Sequence, residues 1–245
     1  MATQGHISRP GAWSFSDCLE IGVAGQGMLS WEESKSNLAL FAITSSPLIL
    51  GNDPRKGRMQ QRLVELLTNK DMLLVNQQYQ TDGAKFAGGR VGSSPPAREL
   101  WAKPLPGKAA AVLLFNRGGV VIGTTPAGAD APPAHCTDPE STLPPCHGCF
   151  VNDDRPWLAP CDDNVTASTG AQKLSFSTDQ LPRAWLASSA AAAAGDGDRA
   201  AKALECDVFD IFATPNKGKK LGRFSSWSAL VPPHGSRFLR LSNCK

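Results

Sequence analysis

Ser30-Trp31-Glu32-Glu33 opens, and Ser45-Ser46-Pro47-Leu48-Ile49-Leu50-Gly51-Asn52-Asp53-Pro54 closes, the stretch on which the fold class turns. Ser30 followed three residues on by Glu33 is a capping box, which satisfies two orphan N–H groups at the start of a helix. Trp31, Leu38 and Phe41 then recur at helical spacing. The helix is predicted to stop near Ser45-Ser46, because the proline at 47 disfavours a helical residue before it. Pro47-Leu48-Ile49-Leu50 is a short, continuously apolar run, expected to be a strand buried on both faces. A second helix follows, with Met59, Leu63, Leu66 and Leu67 on one face and Arg62, Glu65 and Asn69 on the other. Helix, fully apolar strand, helix is the rhythm of a parallel α/β fold.

Outward from this stretch the rhythm changes at about Lys85 to short strands between turns. The expected strands are Leu100 to Leu105, Ala110 to Phe115, Val120 to Gly123, Lys173 to Ser177, Asp207 to Phe212, Phe224 to Val231 and Arg237 to Leu241. Pro106-Gly107, Arg117-Gly118-Gly119 and Pro215 to Gly218 supply turns, and this density suits an antiparallel sandwich. Thr124 to Gly170, rich in Pro, Cys and Asp, and the alanine tract Ala187 to Gly197 are expected to be surface insertions, since long loops add little closure entropy.

Bulk properties exclude several functions. The 245-residue chain carries a formal charge of +3, too weak to argue for nucleic acid or an acidic membrane. Its densest basic stretch, Lys217, Lys219, Lys220 and Arg223, surrounds Pro215-Asn216 and Gly218 and is expected to be a solvated hairpin turn. No apolar run has the length of a membrane span, and the first residues show no apolar leader segment. Seven cysteines and the sequon Asn164-Val165-Thr166 suit an oxidising, secretory compartment with glycosylation at Asn164. Cys136, Cys146, Cys149 and Cys161, with His135 and His147, admit zinc as an alternative. Only Cys146-x-x-Cys149 has the short spacing of structural zinc sites, so two disulfides among the four are preferred. Cys206 and Cys244 lie on or beside strands and are expected to pair, leaving Cys18 as the odd thiol. Gly22 to Gly27 lacks the order of a dinucleotide loop, His234 in Pro-Pro-His-Gly reads as a turn residue, and no cofactor is expected.

Arg9-Pro10-Gly11-Ala12-Trp13-Ser14-Phe15-Ser16-Asp17-Cys18-Leu19-Glu20-Ile21-Gly22 resembles the segment around the seventh barrel strand of the melibiase-type α-galactosidases. Leu29 to Glu33 and Leu40 to Asp53 resemble the next helix and the eighth strand, and Leu67 to Asp71 with Val75-Asn76-Gln77 the last barrel helix and its exit. Glu99 to Leu105, Leu113 to Gly118 and Val231 to Gly235 resemble the family's C-terminal sandwich. The resemblance implies the last two βα units of a (β/α)8 TIM barrel in residues 1–80, then an antiparallel β-sandwich in residues 81–245 with the Cys-rich insertion at about 124–170.

It also implies a retaining glycoside hydrolase acting on terminal α-linked galactose or a related sugar, in the lysosome, vacuole or extracellular space. Such enzymes use one carboxylate as nucleophile and another as general acid, roughly 5 Å apart. In the family these stand on the fourth and sixth strands, upstream of the part this chain resembles, so no catalytic residue is assigned and the chain is expected to be inactive alone. By position Asp17 matches a carboxylate lining the sugar pocket and Cys18 a pocket methionine, and both are expected to bind substrate. Phe15 and Ser16 stand where the family has Asp-Pro, and the smaller Cys18 alters the pocket floor. Asp53, in Gly-Asn-Asp-Pro, is read as a turn residue. A two-unit remnant is expected to leave the apolar faces of Leu48, Leu50, Leu63 and Leu66 without partners. A non-catalytic carbohydrate-binding or secreted interaction protein is the alternative, and no oligomeric state follows from the sequence.

Overall fold

The protein was analysed as a computed structural model that describes residues 10–13, 15–22, 29–52, 55, 61–79, 84–89, 98–117, 171–186 and 203–245. The four cysteines at 136–161, Asn164, Asp53, the 187–197 tract and the expected strand at Val120 lie outside the described residues.

Helix α1 (Trp31–Ile43) begins with the expected capping box: Glu33 N donates to Ser30 Oγ at 3.2 Å and Ser30 N to Glu33 Oε2 at 2.8 Å. At its other end Ser46 N donates to Phe41 O and Ser45 N to Ala42 O, the paired bonds of a Schellman stop. The left-handed position of that stop is held by Ser45 (φ 56°), where glycine is usual. α2 (Gln61–Leu67) and α3 (Lys70–Gln77) divide what the sequence presented as one helix. Asn69, expected on a polar face, is instead the fully buried N-cap of α3, because its short amide satisfies a helix start better than it continues a helix.

Eight strands follow among the described residues. β1 (Ala84–Gly89), β2 (Arg98–Leu105), β3 (Ala109–Asn116), β5 (Cys206–Asp210), β6 (Lys219–Phe224) and β8 (Ser236–Ser242) form a six-stranded antiparallel sheet in the order β1-β2-β3-β8-β5-β6. β4 (Gln172–Ser177) and β7 (Ser226–Val231) form a separate two-stranded sheet, and the short α4 (Arg183–Leu186) follows β4. The expected single strand from Phe224 to Val231 is two strands that change sheets at Ser225.

The pleat of the large sheet sorts its side chains between two cores. Leu100, Ala102, Val112, Leu114, Val208, Leu239 and Leu241 face β4 and β7 and pack with Leu174, Phe176 and Val231. Leu105, Ala111, Leu113 and Phe238 face the opposite way and pack against α1, α2 and α3 through Leu38, Phe41, Leu66, Met72 and Val75. The sheet is therefore covered on both faces, which explains the nearly continuous apolar run of β3.

Three further expectations are corrected. Leu63 and Leu66 are buried in the helical core rather than left without partners, because the helices find the sheet face. Ile49 (44% exposed) and Leu50 (47%) are not buried on both faces: among the described residues their segment pairs only with Leu19, and Leu48 alone of the three packs on the helical core. Lys219, Lys220 and Arg223 lie on β6, with only Lys217 left beside the turn, where Thr214 Oγ1 donates to Lys217 O. The shift of register opposite Val208 and Phe209 hides the strand's alternation in the sequence. Lys220 and Arg223 pair with Asp207 at 3.0 and 3.6 Å, and their charges guard an edge strand against foreign pairing. Gly218 permits the close approach of this hairpin, since a Cβ there would stand 2.0 Å from the Phe209 ring.

Candidate functional site

Two extended segments place Asp17 and Cys18. Residues 15–22 run beside residues 47–52 as a parallel pair, with Leu19 N donating to Ile49 O at 2.7 Å and Gly51 N to Leu19 O at 3.0 Å. Leu19 and Ile21 are driven into the helical core, and Asn52 Nδ2 fastens the far end by donating to Ile21 O at 2.7 Å. Gly51 eases the close approach here: a Cβ would meet Cys18 Cβ and Leu19 O at 3.1 Å, tighter than ordinary contact.

Asp17 is exposed and adopts φ 67°, a conformation that aspartate tolerates through local hydrogen bonding. The local bond is present, with Cys18 N donating to Asp17 Oδ1 at 2.8 Å. One residue earlier, Ser16 Oγ lies 2.8 Å from Ser46 Oγ, which in turn lies 3.0 Å from Thr44 Oγ1. The two segments are thus joined by side chains as well as backbone immediately before Asp17. Cys18 carries a free thiol, as expected of the odd cysteine, but is half-buried, not buried in the core. Desolvation pushes its pKa up, the neighbouring Asp17 charge adds to the rise, and the thiol stays protonated at neutral pH. It can line a pocket but is a poor nucleophile. Trp13 and Phe15 are exposed beside this end of the chain, and the Trp13 ring meets Tyr79 edge-on at 5.1 Å.

An exposed carboxylate with two acceptor oxygens suits sugar hydroxyls. The other acidic groups described near α1 are engaged elsewhere: Glu32 with Lys35, and Glu33 with His234 at 2.8 Å. Among the described residues no second carboxylate is bonded to Asp17, and no group of three or more His, Cys, Asp or Glu is placed to hold a metal. His234 sits in the turn before β8, as expected, and its carbonyl also accepts from Ser36 Oγ at 2.7 Å. Cys206 and Cys244 form the expected disulfide. No described helix is long and apolar enough to cross a membrane. A groove of about 520 Å³ lies along β4 and β7, lined by Lys173, Ser175, Asp179, Gln180 and Trp227, and does not include Asp17.

The buried polar residues that hold the site in place were not singled out by the sequence. Lys103 is fully buried on β2, and its Nζ donates to Ser45 Oγ and Val75 O at 2.6 Å and to Ala42 O at 3.3 Å. Asn76 Nδ2 donates to Phe41 O at 3.1 Å and to Ser46 O at 2.9 Å. Asn116 Nδ2 donates to Val231 O and Pro232 O, both at 3.1 Å. For Lys103 the available signal was a lysine set between Trp101-Ala102 and Pro104-Leu105 in an expected strand.

Comparison with known proteins bears on the same stretch. Residues 3–78, which include Asp17, Cys18 and α1 to α3, match the melibiase family described as alpha galactosidase A. The chain is 36% identical to alpha-galactosidase 2 of Arabidopsis thaliana over 118 residues, which are 48% of this chain and 27% of that protein. Its fold is similar to alpha-galactosidase I from Mortierella vinacea, with a TM-score of 0.57 and 21% identity, covering 97% of this chain and 42% of the other. It is likewise similar to an α-galactosidase from Saccharomyces cerevisiae solved with raffinose, with a TM-score of 0.57 and 15% identity, covering 96% of this chain and 48% of the other. The chain spans about a quarter of the length of the curated relative it matches.

Proposed function

We propose that this chain, which matches the melibiase family over residues 3–78, carries the Asp17 side of the sugar site of an α-galactosidase-like glycoside hydrolase. The exposed Asp17 carboxylate, held at the head of the parallel Leu19 and Leu50 segments, is the observation that carries the proposal. In it residues 1–80 supply the last two βα units of a (β/α)8 barrel, and residues 81–245 the C-terminal sandwich. The covered sheet, the parallel bridge and the fold likeness to α-galactosidases support that division. Asp17 accepts hydrogen bonds from the sugar, and Cys18, compact and protonated, lines the pocket beside it.

Retaining hydrolysis needs a nucleophile and a general acid on opposite sides of the anomeric carbon, and Asp17 alone cannot be both. The chain by itself is therefore inactive, and turnover requires two carboxylates supplied from the remainder of a barrel. The ligand class is a terminal α-galactoside or a close relative, as for the yeast neighbour solved with raffinose. The disulfide between Cys206 and Cys244 supports passage through an oxidising compartment, with a lysosomal, vacuolar or extracellular destination.

Purified chain, beside a version extended upstream in its reading frame, is to be assayed with nitrophenyl α-galactoside and nitrophenyl α-N-acetylgalactosaminide. Activity confined to the extended protein and weakened by Asp17→Asn is the expected result. Turnover by the chain alone that Asp17→Asn abolishes would overturn the proposal.

A further inference from the structure

Lys103 has no part in the sugar chemistry above, yet it is a fully buried cation, which proteins rarely keep without a use. Its three protons are all engaged: Ser45 Oγ at 2.6 Å, Val75 O at 2.6 Å and Ala42 O at 3.3 Å, with Asn76 O further off at 3.5 Å. Ala42 lies in the last turn of α1 and Val75 and Asn76 in the last turn of α3, so one ammonium stands at two helix C-termini. The last-turn carbonyls of both helices have acceptor capacity left and carry partial negative charge there, and this explains how the charge is accommodated. β2 delivers the side chain to this place because Lys103 points to the helical face of the sheet, opposite the small Ala111.

The contact with Ser45 links this core cation to the candidate site. Ser45 occupies the left-handed position of the α1 stop (φ 56°), where a side chain costs about 1 kcal/mol relative to glycine. Its hydroxyl is the group that Lys103 holds. The next residue, Ser46, is fixed by Asn76 through its carbonyl at 2.9 Å, and its hydroxyl reaches Ser16 Oγ at 2.8 Å. Ser16 directly precedes Asp17. A continuous set of hydrogen bonds and two covalent steps thus runs from the six-stranded sheet, through the helix ends, to the carboxylate.

We propose that Lys103 is a positioning residue for Asp17, acting from the sheet through the Ser45-Ser46 reversal and the Ser46–Ser16 hydrogen bond. The functional significance rests on Asp17 being a sugar-pocket residue, whereas the mechanical link can be tested without any sugar. In this role the antiparallel part of the chain is more than a neighbour of the helical part, since it sets the position of a pocket residue from behind.

Cys18, bonded to Asp17 through its backbone N–H, is a built-in reporter. The rate of iodoacetamide alkylation of the Cys18 peptide is to be followed by mass spectrometry in the full chain, well below the unfolding transition. Ser45→Gly suits the left-handed backbone and removes only the Lys103 contact, and Ser16→Ala breaks only the last link. Each is expected to raise the Cys18 rate about 3- to 10-fold, the effect of losing one hydrogen bond on local opening. Lys103→Met is expected to do the same with a lowered melting temperature, and Ser16→Thr, which keeps the hydroxyl, to restore the original rate. Unchanged Cys18 rates in Ser45→Gly and Ser16→Ala would overturn the proposal and leave Lys103 a purely structural clamp, even if Lys103→Met does not fold. Galactose protection of Cys18 in the unaltered chain tests the sugar site separately: its absence would count against Asp17 as a pocket residue and leave the mechanical link standing.

Discussion

Replacing Asn69 by alanine tests how the helical layer is attached to the sheet. Asn69 is fully buried, and its side chain makes three hydrogen bonds. Its Oδ1 accepts from Met72 N at 3.1 Å as the N-cap of α3, while its Nδ2 donates to Ile211 O at 3.1 Å and Pro215 O at 3.0 Å in the segment after β5. Loss of the cap costs about 1 kcal/mol. Each carbonyl deprived of its buried donor costs about 1 kcal/mol more. Asn69→Ala should therefore destabilise the protein by about 3 kcal/mol, a fall in Tm of roughly 6 to 12 °C for a chain of this size. Asn69→Ser separates the contributions, because serine caps a helix but cannot reach either carbonyl as a donor. It should lose about 2 kcal/mol, recovering the cap alone. Urea unfolding followed by tryptophan fluorescence measures both variants against the unaltered chain. An alanine variant within about 0.5 kcal/mol of the parent, or a serine variant no more stable than the alanine one, would refute the reasoning.

Opening the disulfide between Cys206 and Cys244, which are separated by 38 residues, removes loop-closure restraint from the unfolded chain and should cost up to about 4 kcal/mol. Non-reducing peptide mapping should recover those two peptides linked, and Cys136, Cys146, Cys149 and Cys161 as two further disulfides among themselves. Free thiols at all four of the latter, or bound zinc, would exclude that arrangement. Burial works against ionisation of Glu33, but its hydrogen bonds with His234 and Ser30 outweigh it and hold the carboxyl below the ordinary glutamate range. A depressed pKa contributes stability above the unfolded-state value that disappears as pH falls through the folded-state value. Glu33→Gln should accordingly flatten the loss of stability between about pH 5 and 3, and an unchanged acid limb would show that the His234 contact contributes nothing.

Local chemistry on its own determined a good part of this protein. Ser30 and Glu33 started α1 as a capping box must, because both partners of the two hydrogen bonds lie within four residues. The turn residues around Gly107 and Pro215 and the short runs holding leucine and an aromatic residue marked β2, β3 and β8 for the same reason, and the motif from Arg9 to Gly22 singled out Asp17 and Cys18. What depended on distant partners stayed hidden. The start of a new helix at Asn69 was decided by Ile211 and Pro215, 142 and 146 residues away, whose carbonyls reward an amide that propensity alone cannot place. The run Pro47 to Leu50 carries the composition of a doubly buried strand, but burial is a property of neighbours, and among the described residues Leu19 alone pairs with it. Lys103 reads in sequence as one more strand lysine. Only the meeting of a sheet face with two helix C-termini gives its ammonium three acceptors and makes a buried charge tolerable.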